Sequence, residues 1–431
     1  MSALDSTVSD IRTGPTSRIL WLSFGSACLA WMFDAMDLTI FTLVLFPSVS
    51  ELIGSSDPGL VAPTGGLILA GKLLAWGLGG IAFGVIADRI GRAKTMMITV
   101  VIYSVFTGLS GLAGSWWELM LFQALAGIGI GGEWAAGAAL VAETWPERSR
   151  QRALVAMQMS FAGGFFLAGL LNLLVGPIGW RWVFAAGAAP AAMALVIRWL
   201  VPEPTRWIVA RNRRRAALPE GTTDTAKQTL LAIFAPDVRR RTVVGVLITA
   251  AMMIGAWGTT TLLPTWIHQL VGADQAAAIK ITGLCFMLAN VGAVFGFAAV
   301  MLLVDAVGRR WCYFLVVVGC MVTSLFAYTQ IEAIDTLTWF MPLYGFFAIG
   351  GFGTFAAYLP ELFPTRIRAT GQGFCWNMGR ACTAMGPLVA GTLVGVLGSV
   401  PTAAVAVTGI YVIGLVAIWF GPETRGLPLE D

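Results

Sequence analysis

Two stretches decide the fold: VAETWPERSR at 141–150 and YLPELFPTRIR at 358–368. Glu143, Pro146 and Arg150 of the first recur as Glu361, Pro364 and Arg368 of the second, 218 residues later. A second pair lies upstream at nearly the same offset. Asp88, Gly91 and Arg92 in GVIADRIGRAK (84–94) recur as Asp305, Gly308 and Arg309 in LLVDAVGRRW (302–311), 217 residues on. Two unlike motifs repeating at one offset mark a duplicated half, and in a chain this apolar they point to a membrane transporter built from two like halves.

The apolar character is quantitative. Of 431 residues, 57% are hydrophobic and only 12% charged, about half the charge of a soluble domain. No water-facing surface can be built from so few charges, so lipid is the solvent for most of the chain. Apolar runs long enough to span recur at 19–49, 61–86, 95–112, 117–142, 152–176 and 182–201, and again at 242–267, 277–304, 311–329, 338–360, 371–396 and 402–420. The expected fold class is an all-α membrane protein of twelve transmembrane helices. The expected domains are an N-terminal tail (1–18), a six-helix bundle (19–201), a polar linker (202–241), a second six-helix bundle (242–420) and a C-terminal tail (421–431). The 51 glycines suit helices that pack closely in lipid. Six Cys are scattered singly, which predicts neither a metal site nor a disulfide framework.

Orientation follows from Lys and Arg. The tails and the even-numbered loops hold 23 of the 27 basic residues, counting Arg198 at the end of the sixth span; Arg181 and Lys280 fall in odd loops, and Lys72 and Arg380 inside spans. The positive-inside rule then predicts a multi-pass protein, of a bacterial inner membrane, with both termini and the linker cytoplasmic. The net charge of +4 reflects this bias and not a nucleic-acid partner. The RNRRR run at 211–215 reads as topology setting plus contact with anionic lipid headgroups.

The repeated motifs sit at the cytoplasmic ends of spans and read as gates. Gly84 lets helix and loop approach a neighbour. Asp88 can cap the next helix or pair with Arg89 or Arg92, while Gly91 makes the turn. In the second copy Met301 replaces the Gly and Ala306 the following Arg, so the contact around Asp305 and Arg309 is expected to be the weaker. Proline ends the helix in the other motif, leaving Glu143 and Arg150, and Glu361 and Arg368, to cross-link loops.

At these residues the chain resembles the major facilitator superfamily over essentially its full length, through GVIADRIGRAK, VAETWPERSR, VPEPTRW (201–207), YLPELFPTRIRATGQGF (358–374) and PETRG (422–426). The resemblance implies two pseudo-symmetric six-helix bundles and alternating access by rocking. FDAMD (33–37), GIGIGGEW (127–134), and NMGR (377–380) followed by Gly386 and Pro387 are similar to stretches of bacterial organic-acid/proton symporters, among them the sialate/lactate, aromatic-acid and metabolite/proton families. Those families place an Arg near the start of the fourth helix, where Gln123 stands here. PETRG and VPEPTRW also resemble sugar-porter motifs.

Ionisable residues at membrane depth cost about 2.5–3.5 kcal/mol each on insertion scales and are functional candidates. Asp34 and Asp37, three apart, share a helix face. Two carboxylates there cannot both stay ionised cheaply, so with Glu133 they form the expected proton-coupling set; a structural pair braced by a cation on a neighbouring helix is the alternative. Arg380 lies about 18 Å into its helix and offers a planar fork for a carboxylate. Asn377, Gln123, Asn290 and Trp257 are further substrate-binding candidates, with Trp76, Thr260 and Trp376 as possible cavity walls. Lys72 is expected to snorkel to the interface, and His268 to be interfacial. The expected function is import of a small organic anion, a monocarboxylate, with protons and no other cofactor, by a chain that works as a monomer and is not an enzyme. A sugar or polyol symporter is the runner-up, then a drug/proton antiporter, then a non-transporting sensor or membrane enzyme.

Overall fold

The computed structural model describes residues 17–192, 199–216, 225–272, 274–384 and 393–430. Its helices are α1 (Ser17–Ile53), α2 (Pro58–Ile90), α3 (Arg92–Ser110), α4 (Trp116–Thr144), α5 (Arg150–Val175), α6 (Trp180–Gly187), α7 (Thr205–Ala216), α8 (Ala226–Ala232), α9 (Arg239–Val271), α10 (Gln275–Val307), α11 (Arg309–Thr329), α12 (Ile334–Ala348), α13 (Gly353–Tyr358), α14 (Arg368–Ala384), α15 (Val400–Thr408) and α16 (Tyr411–Ala417). Among the described residues there is no strand, and ten stretches are long and apolar enough to cross a membrane. The two remaining expected spans, 182–201 and 371–396, each run through residues outside the description, as do Arg198, Gly386, Pro387, the tail before Ser17 and linker residues 217–224.

The chain divides into two compact units. The first comprises Met1–Val238, Phe363–Asn377 and Pro428–Asp431; the second comprises Arg239–Leu362 and Met378–Leu427. Each holds five of the ten spans.

Within the first unit the tightest pairing is α2 on α4. The glycine run of GIGIGG makes it possible. A Cβ at Gly127 would overlap the carbonyl oxygen of Lys72, and one at Gly131 that of Trp76. The two backbones therefore meet directly, as small residues allow in lipid. The second unit repeats the device between α10 and α12, where a Cβ at Gly292 or Gly345 would overlap the carbonyl oxygen of Pro342 or Ala289. Helix turns repeat as well: α3 starts after Gly91 at φ +121° and α11 after Gly308 at φ +88°, a region costly for any side chain. The 202–241 stretch is not extended linker throughout, since it carries α7 and α8. Thr225 and Gln228 open α8 with reciprocal side-chain bonds.

Candidate transport site

Three polar layers lie along α4 of the first unit, at Gln123, Glu133 and Glu143, each ten residues and so about 15 Å from the next. All three side chains are buried.

The first layer is a closed ion-pair network. Lys72 Nζ lies 2.7 Å from Asp37 Oδ2. It donates also to Gln123 Oε1 at 2.8 Å and to the Asp37 backbone carbonyl at 3.3 Å. Thr107 Oγ1 donates to the other Asp37 oxygen. Gln123 Nε2 donates to Ser110 Oγ at 2.8 Å, which fixes the amide. Lys72 is wholly buried, so the snorkelling expectation is wrong. The Asp37 carboxylate meets the ammonium inside the unit, which removes the reason for it to reach for the interface. Gln123 belongs to this network too, holding the Lys in place.

The second layer is acidic. Asp34 and Glu133 are both fully buried and stand within side-chain hydrogen-bonding reach of each other. A hydrogen bond between two carboxyl groups needs a proton on one of them. Asp34 and Asp37 share a helix but take different partners, one an acid and the other a base. Trp31 and Trp134, near these acids in sequence, belong to an aromatic cluster. Trp134 stacks on Trp376 with centroids 4.2 Å apart, and Trp31 lies 4.7 Å from Phe161. Gln158 fixes the Trp134 indole by accepting from Nε1 at 2.8 Å.

The third layer carries the repeated motifs. Asp88 accepts from the Ala369 and Thr370 backbone N–H groups at 3.2 and 2.8 Å and from Thr370 Oγ1 at 2.6 Å. It caps the start of α14 and not the next helix in sequence, so that of the two roles expected for it only the pairing with an Arg is seen. The start of α3 is already capped by Glu203, whose carboxylate accepts from the N–H groups of Arg92, Ala93 and Lys94 at 2.6, 3.3 and 3.0 Å. Asp88 pairs with Arg92 at 2.8 Å, and Arg89 is exposed. Arg92 grips Glu143 with both fork nitrogens, at 3.1 and 2.8 Å, and also donates to the carbonyls of Ala87 and Thr365. Arg368 joins Glu143 at 2.9 Å and donates to the Glu430 carbonyl. Gly84 lies where α2 meets the Ala369 carbonyl. Arg150 is buried beside Glu147, 3.3 Å away.

The second unit repeats part of this layer. Arg309 grips Glu361 at 2.9 and 3.0 Å, Thr424 adds a bond to the same carboxylate, and Glu423 accepts from the N–H groups of Arg309 and Arg310. Asp305 is half-buried there. Glu203 and Glu423, 220 residues apart, are thus a third repeated pair. Their shared Pro-Glu signal was visible in VPEPTRW and PETRG, but nothing in spacing alone says which helix start they cap.

Of the remaining candidates, Arg380 is buried in the second unit near the contact of Gly379 with α9. Asn377 is buried in the first, donating to the Gly373 carbonyl at 2.8 Å with its Oδ1 lacking a hydrogen-bond donor. Asn290 bonds its own helix at Phe286. Trp257 is 41% exposed, Thr260 bonds Tyr344, Trp76 is fully buried, and His268 is exposed at the end of α9.

The family model described as Major Facilitator Superfamily matches residues 20–381. The chain belongs to the major facilitator superfamily. This membership makes it a multi-pass membrane transporter and not an enzyme, and the superfamily's twelve-helix fold agrees with the helices above. A Haemophilus influenzae protein provisionally named for metabolite transport is 31% identical over 95% of this chain and 98% of its own. A Cupriavidus pinatubonensis protein, named a probable 4-methylmuconolactone transporter, is 30% identical over 95% and 92%. The cis,cis-muconate transport protein of Acinetobacter baylyi is 28% identical over 86% and 87%. Among solved superfamily structures, the proton:xylose symporter XylE bound to 6-bromo-6-deoxy-D-glucose superposes with a TM-score of 0.79 at 18% identity, over 97% and 99% of the two chains. At that identity the likeness shows the fold alone.

Proposed function

We propose that this transporter imports a small organic anion, in the simplest case a monocarboxylate, together with protons by alternating access. The observation that carries the reading is the sealed Asp34–Glu133 carboxyl pair, a place for a proton at membrane depth in a chain whose relatives are named for muconate and a muconolactone. Arg380 supplies the cation for the carboxylate, and a neutral cargo has no use for it. The basic tails and linker put both termini in the cytoplasm of a bacterial inner membrane. The layer at Asp88, Arg92, Glu143 and Arg368 is then the cytoplasmic latch. Protons are the only coupling species, and one chain suffices. The glutamates of VPEPTRW and PETRG cap helix starts, a structural role that does not bear on the cargo.

The test is a counterflow screen in proteoliposomes, with lactate, benzoate and cis,cis-muconate against xylose and glucose, and pH recorded. Acids are expected to exchange and to carry protons inward. Arg380→Gln is expected to lower carboxylate uptake roughly tenfold or more at unchanged protein level. Competition by sugars and not by acids overturns the reading.

A further inference from the structure

Each unit carries a groove where its first helix begins. In the first unit a cavity of about 610 Å³ lies against the start of α1, the start of α3 and residues 199–203. In the second a cavity of about 370 Å³ lies between the start of α9 and the end of α16, reaching Phe420. Both volumes are those of small-molecule sites. The two grooves occupy matching places in the repeat. Arg18 and Arg239 stand 221 residues apart, as do Leu22 and Val243, and Trp199 and Phe420. We propose that each groove holds an anionic phospholipid by its headgroup, one lipid to each half of the chain.

Charge and apolarity both point to that occupant. Arg18 and Lys94 border the first groove, and Arg239 and Arg240 the second. All four are exposed, and among the described residues none of them is in an ion pair. Glu203 also borders the first groove, but its carboxylate is engaged by the three N–H groups that open α3. In the second groove Arg240 Nε donates to the Phe420 carbonyl at 2.9 Å, which holds the guanidinium beside the aromatic wall. The walls are apolar, with Ile19, Leu22 and Met97 in one groove and Val243, Leu247 and Phe420 in the other. Trp199 and Phe420 are 82% and 56% exposed. Exposed apolar side chains of a membrane protein face acyl chains, and a Trp beside cations marks the headgroup level. A soluble anion would use the cations and leave the walls bare. A phospholipid uses both, with its phosphate at the cations and its chains along the wall. Each Lys or Arg at that level favours a negative headgroup over a zwitterionic one. Neither groove includes Asp34, Glu133 or Arg380, so these sites are additional to the proposed transport path.

The experiment uses the full chain in detergent, with phosphatidylglycerol, phosphatidylethanolamine or inorganic phosphate added and bound lipid counted by native mass spectrometry. Wild type is expected to retain about two phosphatidylglycerol molecules, to hold phosphatidylethanolamine several-fold more weakly, and to keep its lipid when phosphate is added. Arg18→Gln/Lys94→Gln and Arg239→Gln/Arg240→Gln are each expected to lose one lipid, affinity at that groove falling roughly tenfold or more at about fivefold per cation. Arg148→Gln/Lys227→Gln removes two exposed cations outside both grooves and is expected to keep both lipids. A photoreactive phosphatidylglycerol on wild type gives a reading that needs no variant: its cross-links are expected in peptides covering 18–22, 199–203 and 239–247. Equal retention of phosphatidylethanolamine, displacement by phosphate, an equal loss in the Arg148/Lys227 variant, or cross-links that avoid those peptides each overturns the proposal.

Discussion

At the residue scale, charge and burial divide three acids that look alike in sequence. Asp34, Asp37 and Glu133 were grouped because each is a carboxylate in an apolar run. The fold gives Asp37 a lysine at 2.7 Å and leaves Asp34 beside Glu133, so they do different work. The prediction at this scale concerns Glu133. Glutamine keeps the size of the side chain and its hydrogen-bonding capacity but has no titratable proton. Glu133→Gln is expected to exchange labelled acid at near wild-type rates and to fail to accumulate it against a gradient. Counterflow and gradient-driven uptake in the same liposomes read the two separately; accumulation at wild-type level removes Glu133 from the coupling set. Lys72 is the residue where sequence reasoning failed, because its partner lies 35 positions away and composition around it gives no sign of an acid.

At the scale of the element, helix starts are the repeated theme. The first N–H groups of a helix have no partner within it, and in an apolar surrounding each unsatisfied one is costly. Glu203 supplies acceptors for α3, Glu423 for α11 and Asp88 for α14. An anionic oxygen at that end also meets the positive pole of the helix. Glu203→Ala and Glu423→Ala are each expected to cost about 1–2 kcal/mol, seen as a lower apparent Tm of the detergent-solubilised protein. A Tm unchanged in both would mean that water satisfies those N–H groups. The repeat made two of these acids conspicuous, yet which helix each one caps is decided by chain segments about 110 to 280 residues away.

For the whole molecule, the segment 363–377 belongs by the repeat to the second half and by packing to the first unit. Asp88 and Glu143 hold it through Thr370, Ala369 and Arg368, with Trp376 stacked on Trp134. Asp88→Asn removes the anion from that clasp. It is expected to raise the maleimide labelling rate of the buried Cys375 relative to wild type, read peptide by peptide by mass spectrometry, with labelling of the unfolded protein as the reference. An unchanged Cys375 rate would mean that the clasp does not govern release of the segment. The sequence by itself determined the helical class, the number of apolar spans, the duplication and the motif residues, because those are written in composition and in spacing along one chain. Only the tertiary structure decided the partners: Lys72 with Asp37, Glu133 with Asp34, Glu203 with α3 and Asp88 with α14. The reason is physical. Burial in an apolar surrounding forces every charge and every free N–H to find a partner, but which partner it finds depends on how helices distant in sequence lie side by side.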